Sequence, residues 1–195
     1  MVDLEDITEL QKLKIEKGLC DYRYIMNNWK KNDADFQKVY YDFYLKAGWH
    51  YTYNEHFKET YFGLFSNNSL EMNLRNVLDC LKKDNNNYYF SFSSKLIHTK
   101  NPRLPIYDSK VKDYLIDKNV NLWWHVSNKK SGAPRKTSEI EKIMHDWDEI
   151  CKWYEIFLSS PLGEEWVKWF DESFPTYKDD ISMVKKIDFI IYATN

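Results

Sequence analysis

From residue 138 onward the apolar residues recur at intervals of three and four, a period that builds a helix face and cannot line one side of a strand. Ser138 and Glu141 stand at capping-box spacing, which predicts where that helix begins. Ile140, Ile143, Met144, Trp147, Ile150, Cys151, Phe157 and Leu158 follow on the period. Pro161-Leu162-Gly163 interrupts it, and two more helices are expected beyond. One surrounds Trp166 and Phe170, and the other runs from Asp180 to Tyr192 through Ile181, Val184, Ile187 and Ile191.

The same period runs through the first half of the chain. It predicts a helix through Leu4, Ile7, Leu10, Leu13 and Ile15 that stops near Gly18, then a second through Tyr22, Ile25, Met26 and Trp29. Asp33 is a candidate N-cap for a third helix carrying Phe36, Val39, Tyr40 and Phe43. Phe57, Tyr61, Leu64 and Phe65 mark a fourth. Ser69 could cap a fifth, with Leu70, Leu74, Val77, Leu78 and Leu81 on one face. Asp84-Asn85-Asn86-Asn87 reads as a turn. A short helix is expected over Ser93 to His98, a loop over Lys100 to Pro105, and a further helix from Asp108 through Val111, Tyr114 and Leu115. The expectation is an all-α fold forming one domain over residues 1–195, with a mobile basic loop at 127–136.

At 195 residues such a domain buries enough surface to fold without staples. Aromatic residues make up 17% of the chain, with 8 Trp, 15 Tyr and 11 Phe, so the core should be built largely of rings. Cys20, Cys80 and Cys151 lie far apart and form no metal-ligand spacing. Neither a disulfide framework nor a metal or other cofactor is therefore expected. The acidic start Met1-Val2-Asp3-Leu4-Glu5-Asp6 has no apolar core for a secretory leader. Apolar runs fall far short of the ~20 residues of a membrane span, so the expected compartment is the cytoplasm, with no membrane partner.

The net charge of −2 hides an uneven distribution. Residues 95–136 carry ten basic and three acidic groups, a local charge of +7, whereas residues 137–195 carry six basic and thirteen acidic groups. A basic segment of this kind could attract phosphate, or the two segments could pair with each other. Within it, Lys110, Lys129, Lys130, Arg135 and Lys136 are the candidate contacts to a nucleic-acid backbone. Trp123-Trp124-His125 offers either a stacking surface for an exposed base or one buried and one half-buried ring.

One stretch goes beyond helical periodicity: Ser93-Ser94-Lys95-Leu96-Ile97-His98-Thr99-Lys100-Asn101-Pro102-Arg103-Leu104-Pro105-Ile106-Tyr107-Asp108-Ser109-Lys110-Val111. It is similar to a string found in many uncharacterised bacterial proteins, and the likeness extends more weakly to Phe36–Phe43 and to Ile187–Ala193. More distantly it resembles the second half of the helix-hairpin-helix DNA glycosylase core. In that core a hairpin helix leads through a loop to a P-V-D-T-H-V segment whose aspartate begins the next helix. Pro105-Ile106-Tyr107-Asp108-Ser109-Lys110-Val111 corresponds to that segment. The resemblance implies that Asp108 is the carboxylate that stabilises positive charge at the sugar or activates the attacking group.

The pattern departs from the family at two points. Phe92 stands where bifunctional members carry the lysine that attacks the sugar. Residues 84–92 also contain no glycine, so the hairpin through which backbone amides grip a phosphate is absent. A degenerate site follows, and any surviving base excision should be monofunctional, with Asp108 assisting water. Lys95, three residues past Phe92 and so near the same helix face, could substitute for the lost amine, although its plainer reading is a surface lysine. His98 shares that helix as a candidate proton carrier or phosphate contact; its plainer reading is a histidine packed under the 99–105 loop. Asp108 is also a good N-cap, and the two roles are compatible. The competing expectation is a non-catalytic helical module that binds a protein partner, as in a bacterial stress or phage-defence system.

Overall fold

A computed structural model describes residues 4–46, 55–82, 88–124 and 137–194 of the chain. Among these residues the structure is all-α and contains no strand. Its helices are α1 Glu9–Asn28, α2 Ala34–Tyr40, α3 Glu55–Ser66, α4 Leu74–Leu81, α5 Phe90–Lys100, α6 Ser109–Asp117, α7 Glu139–Leu158, α8 Pro161–Ser173 and α9 Met183–Thr194. A π-helical turn, Tyr41–Leu45, continues α2. The expected turn at 84–87 and the basic loop at 127–136 lie outside the described residues.

Side chains that satisfy the first free amides set several helix starts. Asp33 accepts from the Phe36 amide at 2.9 Å and starts α2. At α7 the capping box forms as its spacing predicts: the Ser138 amide donates to Glu141 Oε2 at 2.8 Å, and the Glu141 amide donates back to Ser138 Oγ. α4 starts later than expected. Its cap is Asn73, which accepts from the Asn76 amide at 2.9 Å, while Ser69 donates to Asn67 instead. Pro161 begins α8 rather than ending a segment, because a helix's first residue needs no amide donor.

The N-terminal region corrects the sequence reading more deeply. Gly18 does not stop a helix; α1 runs through it for 20 residues. The face it buries is Ile15, Leu19, Tyr22 and Ile25, whereas Leu10 and Leu13 remain 65% and 61% exposed. Glycine is needed there for proximity. A Cβ at position 18 would lie 2.9 Å from Phe189 Cε1, so its absence lets α1 close against α9.

α9 is the axis of the fold, packing on α1, α6, α7 and α8. Val184 to Ile191 are all buried, as expected of a helix enclosed on every side. A second, aromatic core joins α2, α3 and α5. Phe36 and Tyr40 meet Phe65 at ring distances of 5.2 and 5.3 Å. The buried Tyr40 and Tyr61 hydroxyls lie 3.0 Å apart, and Tyr61 donates to the Phe92 carbonyl at 3.0 Å, so these rings are also polar-satisfied.

The α7–α8 corner is held by the tightest approach to a glycine among the described residues. A Cβ on Gly163 would fall 2.0 Å from the Phe157 carbonyl oxygen and 2.8 Å from its carbon. Backbone cannot swing aside as a side-chain tip can. Gly163→Ala is therefore expected to cost about 2–3 kcal/mol, read as a lowered urea midpoint at unchanged m-value.

Candidate active site

A cavity of about 730 Å³ opens between α1, the π turn, the start of α5, the segment leading into α6, and α9. Its rim is exposed and includes Lys14, Asp21, Asp42, Ser109 and Tyr192. Its inner walls are mainly rings: Phe43, Tyr44, Phe90, Phe92, Trp124 and Phe189. Among them sit Lys95, Asp108, Lys185 and Asp188, and the charged Lys110 lies on the lining as well. The π turn contributes the consecutive pair Phe43 and Tyr44, whose rings meet edge to face at 4.6 Å. Such turns widen the helix and re-aim its side chains.

Lys95 is not a surface lysine. Its side chain is half-buried and lines the cavity. Nζ donates to the Tyr44 carbonyl at 3.0 Å. Burial lowers its pKa to about 8, with the Asp108 carboxylate opposing that shift and the Lys185 charge adding to it. An amine so placed is in part uncharged at neutral pH, the condition for nucleophilic attack. Asp108 caps α6, accepting from the Val111 amide at 2.9 Å, and also lines the cavity. The cap and the site are thus one residue.

Lys185 and Asp188 form the other half of the charged group and were not singled out from the sequence. Both lie on α9 and both are buried. Lys185 Nζ stands 3.7 Å from Asp188 Oδ2. The Tyr154 hydroxyl of α7 donates to Asp188 Oδ1. Asp188 Oδ2 and the buried Tyr44 hydroxyl have no hydrogen-bond partner among the described residues. Burial raises the Asp188 pKa to about 7, against the lowering influence of Lys185 and Tyr154. The same burial lowers Lys185. The signal that could have found the pair was a charge inside an apolar stripe, because Asp188 falls on the period Ile181, Val184, Asp188, Ile191.

His98 is placed differently. It is fully buried and does not line the cavity. Its Nδ1 lies 2.5 Å from the Leu104 carbonyl, an acceptor only, so that nitrogen carries the hydrogen and Nε2 accepts from Tyr22 Oη at 2.9 Å. Burial, and then the Lys185 charge, lower its pKa to about 3. A neutral ring with both nitrogens engaged braces the 99–105 loop and is poorly suited to carrying protons.

The tryptophan pair also divides. Trp124 lines the cavity, and its Nε1 donates to Glu139 at 3.2 Å. Trp123 stacks on His145 with centroids 3.4 Å apart. The buried Asp146 holds both, accepting from the Trp123 and Trp124 amides at 2.6 and 2.9 Å. Lys110 is half-buried and lines the cavity. Lys129, Lys130, Arg135 and Lys136 lie outside the described residues, as does His125.

No group of three or more His, Cys, Asp and Glu side chains that could hold a metal ion occurs among the described residues. No helix among them is long and apolar enough to cross a membrane. No family model, curated protein or solved structure matches the chain.

Proposed function

We propose that the chain is a glycosylase-like helical protein that draws one nucleotide of a nucleic acid into the aromatic cavity. Lys95 is the amine nucleophile and Asp108 the carboxylate beside the sugar, a covalent route in place of the monofunctional, water-assisted one expected from the sequence. The observation that carries this reading is the shared cavity: Lys95 and Asp108 line one ring-walled space of about 730 Å³. That volume lies in the range of small-ligand sites, and rings are the surfaces on which an everted base stacks. Lys95 enters from nearly the same face of α5 as Phe92, one turn further on, and so supplies the amine that Phe92 cannot.

The chemistry balances without a cofactor. With a pKa of about 8, roughly a tenth of the Lys95 side chain is free amine at pH 7. Its lone pair attacks the sugar C1′, the C1′–N bond breaks, and the bonding pair leaves with the base. Asp108 offsets the positive charge that builds at C1′. Loss of a proton from nitrogen and ring opening at O4′ then give a Schiff base. At a pre-formed abasic site the aldehyde carbon is attacked directly and water leaves. Lys110 and the basic residues Lys129, Lys130, Arg135 and Lys136 hold the phosphates in this scheme.

Anisotropy titrations of a duplex containing an abasic-site analogue test the binding half. Tighter binding to the lesion than to intact duplex is expected, falling steeply with salt as counterions are released. Equal affinity for both duplexes would contradict the reading. Asp108→Asn is expected to lower the rate of adduct formation by about 10²–10³-fold. Asn caps a helix about as well as Asp, so the melting temperature should hardly move. A rate within threefold of the parent would remove Asp108 from the mechanism.

A second reading, a helical module that docks a protein partner, is favoured by one observation. Leu10, Leu13 and Tyr192 are 65%, 61% and 62% exposed on α1 and α9, which pack against each other. It would show as association that survives high salt.

A further inference from the structure

The cavity is lined by the half-buried Lys95 and the buried Lys185 where one amine nucleophile would suffice. Lys185 is buried on α9 and its charge is met only from within the fold. Its Nζ is ringed by aromatic faces, at 5.4 Å from Tyr22, 5.3 Å from Tyr44 and 5.1 Å from Phe189. Its carboxylate partner, Asp188, is itself buried and keeps Oδ2 without a hydrogen bond. Two well-packed apolar side chains could fill the places of both residues at no loss, because a buried ion pair is often no more stable than hydrophobic residues of similar volume.

Both amines converge on one residue. Lys95 donates to the Tyr44 carbonyl, and Lys185 stands over the Tyr44 ring. We propose that Lys185 is a positioning residue that keeps Lys95 nucleophilic, its ammonium fixed by Asp188 and by ring faces so that its charge opposes protonation of Lys95. The inference rests on the reading of Lys95 as the nucleophile and deepens it.

The titratable groups around the two lysines come from every packed element: Tyr44 on the π turn, Asp108 and Lys110 at the start of α6, Lys185 and Asp188 on α9, Tyr22 on α1 against Lys185, and Tyr154 on α7 against Asp188. The three tyrosines are pushed well above their usual range by burial and carry no charge at neutral pH. His98, on the same helix as Lys95, is neutral. The field at Lys95 is therefore a contest between Asp108, which favours the ammonium, and Lys185, which disfavours it. Lys185 also depresses His98, so its field reaches two separate groups on α5.

Trace labelling with acetic anhydride from pH 6 to 11, read at each lysine by peptide mass spectrometry, follows the free-amine fraction of Lys95 without any nucleic acid; exposed Lys14 serves as internal reference. Lys185→Met is expected to slow Lys95 labelling at pH 7 by roughly three- to tenfold and to move its profile to higher pH. Lys185→Arg, which keeps the charge, should stay within about twofold of the parent. The double variant Lys185→Met with Asp188→Asn leaves no unpaired buried charge on α9 and should also label slowly, so the test survives if the single variant does not fold. A Lys95 profile unmoved by Lys185→Met, or moved equally by Lys185→Arg, overturns the inference. A shifted profile in a protein inert towards an abasic duplex upholds the coupling of the two amines and overturns the nucleotide reading alone.

Discussion

Lys95→Met is expected to abolish covalent capture of an abasic duplex and, at the same time, to make the protein more stable at pH 7. The two effects share one cause. Burial holds Lys95 at a pKa of about 8, below its ordinary 10.5. Between those values the unfolded chain binds a proton that the folded chain does not. Stability therefore falls as the pH drops through this window, and the full penalty is present below about pH 8. The difference corresponds to on the order of 3 kcal/mol, and methionine fills similar volume without a charge. For a chain of this length that is roughly 6–10 °C in melting temperature at pH 7, and the gain should vanish above about pH 10.5. A variant that loses both reaction and stability would mean that the amine serves the packing and not the chemistry.

Asp146→Asn carries the largest expected loss of stability among the isosteric changes. Each Asp146 oxygen accepts one backbone amide, Trp123 on Oδ1 and Trp124 on Oδ2. Asparagine has a single acceptor oxygen, and its NH₂ would face the other amide, donor against donor. A buried amide without a partner costs about 1–3 kcal/mol, and loss of a charge-assisted bond adds to that. A total of about 3 kcal/mol is expected, read as a lower denaturant midpoint. Because Trp124 forms part of the cavity wall, binding of a lesion duplex should weaken in parallel. Unchanged stability would show that Asp146 is not what holds the 123–124 segment to α7.

Local rules made much of this architecture legible. Asp33, Ser138 with Glu141, and Asp108 each start a helix where the spacing of a capping side chain before an apolar period said they would. What the period could not show was which elements meet. Gly18 looks like a stop until α9 is seen pressing Phe189 against it. Leu10 and Leu13 look like core until the buried stripe is seen to begin at Ile15. The site was half legible for the same reason. Asp108 and Lys95 lie within one motif, 13 residues apart. Lys185 and Asp188 are almost 80 residues further along and reach them only because α9 threads the middle of the fold. Lys95 reads as solvated, since a lysine on a helix usually is; only tertiary packing draws it half-buried into the cavity wall.

Borohydride reduction during incubation with a duplex containing an abasic site tests the central claim most directly. The expected result is a stable one-to-one protein–DNA adduct that peptide mapping places on Lys95, with a rate that climbs towards pH 8 and no adduct from Lys95→Met. An adduct on another lysine, or none under conditions where the duplex is bound, would contradict the assignment of Lys95 as the nucleophile of this cavity.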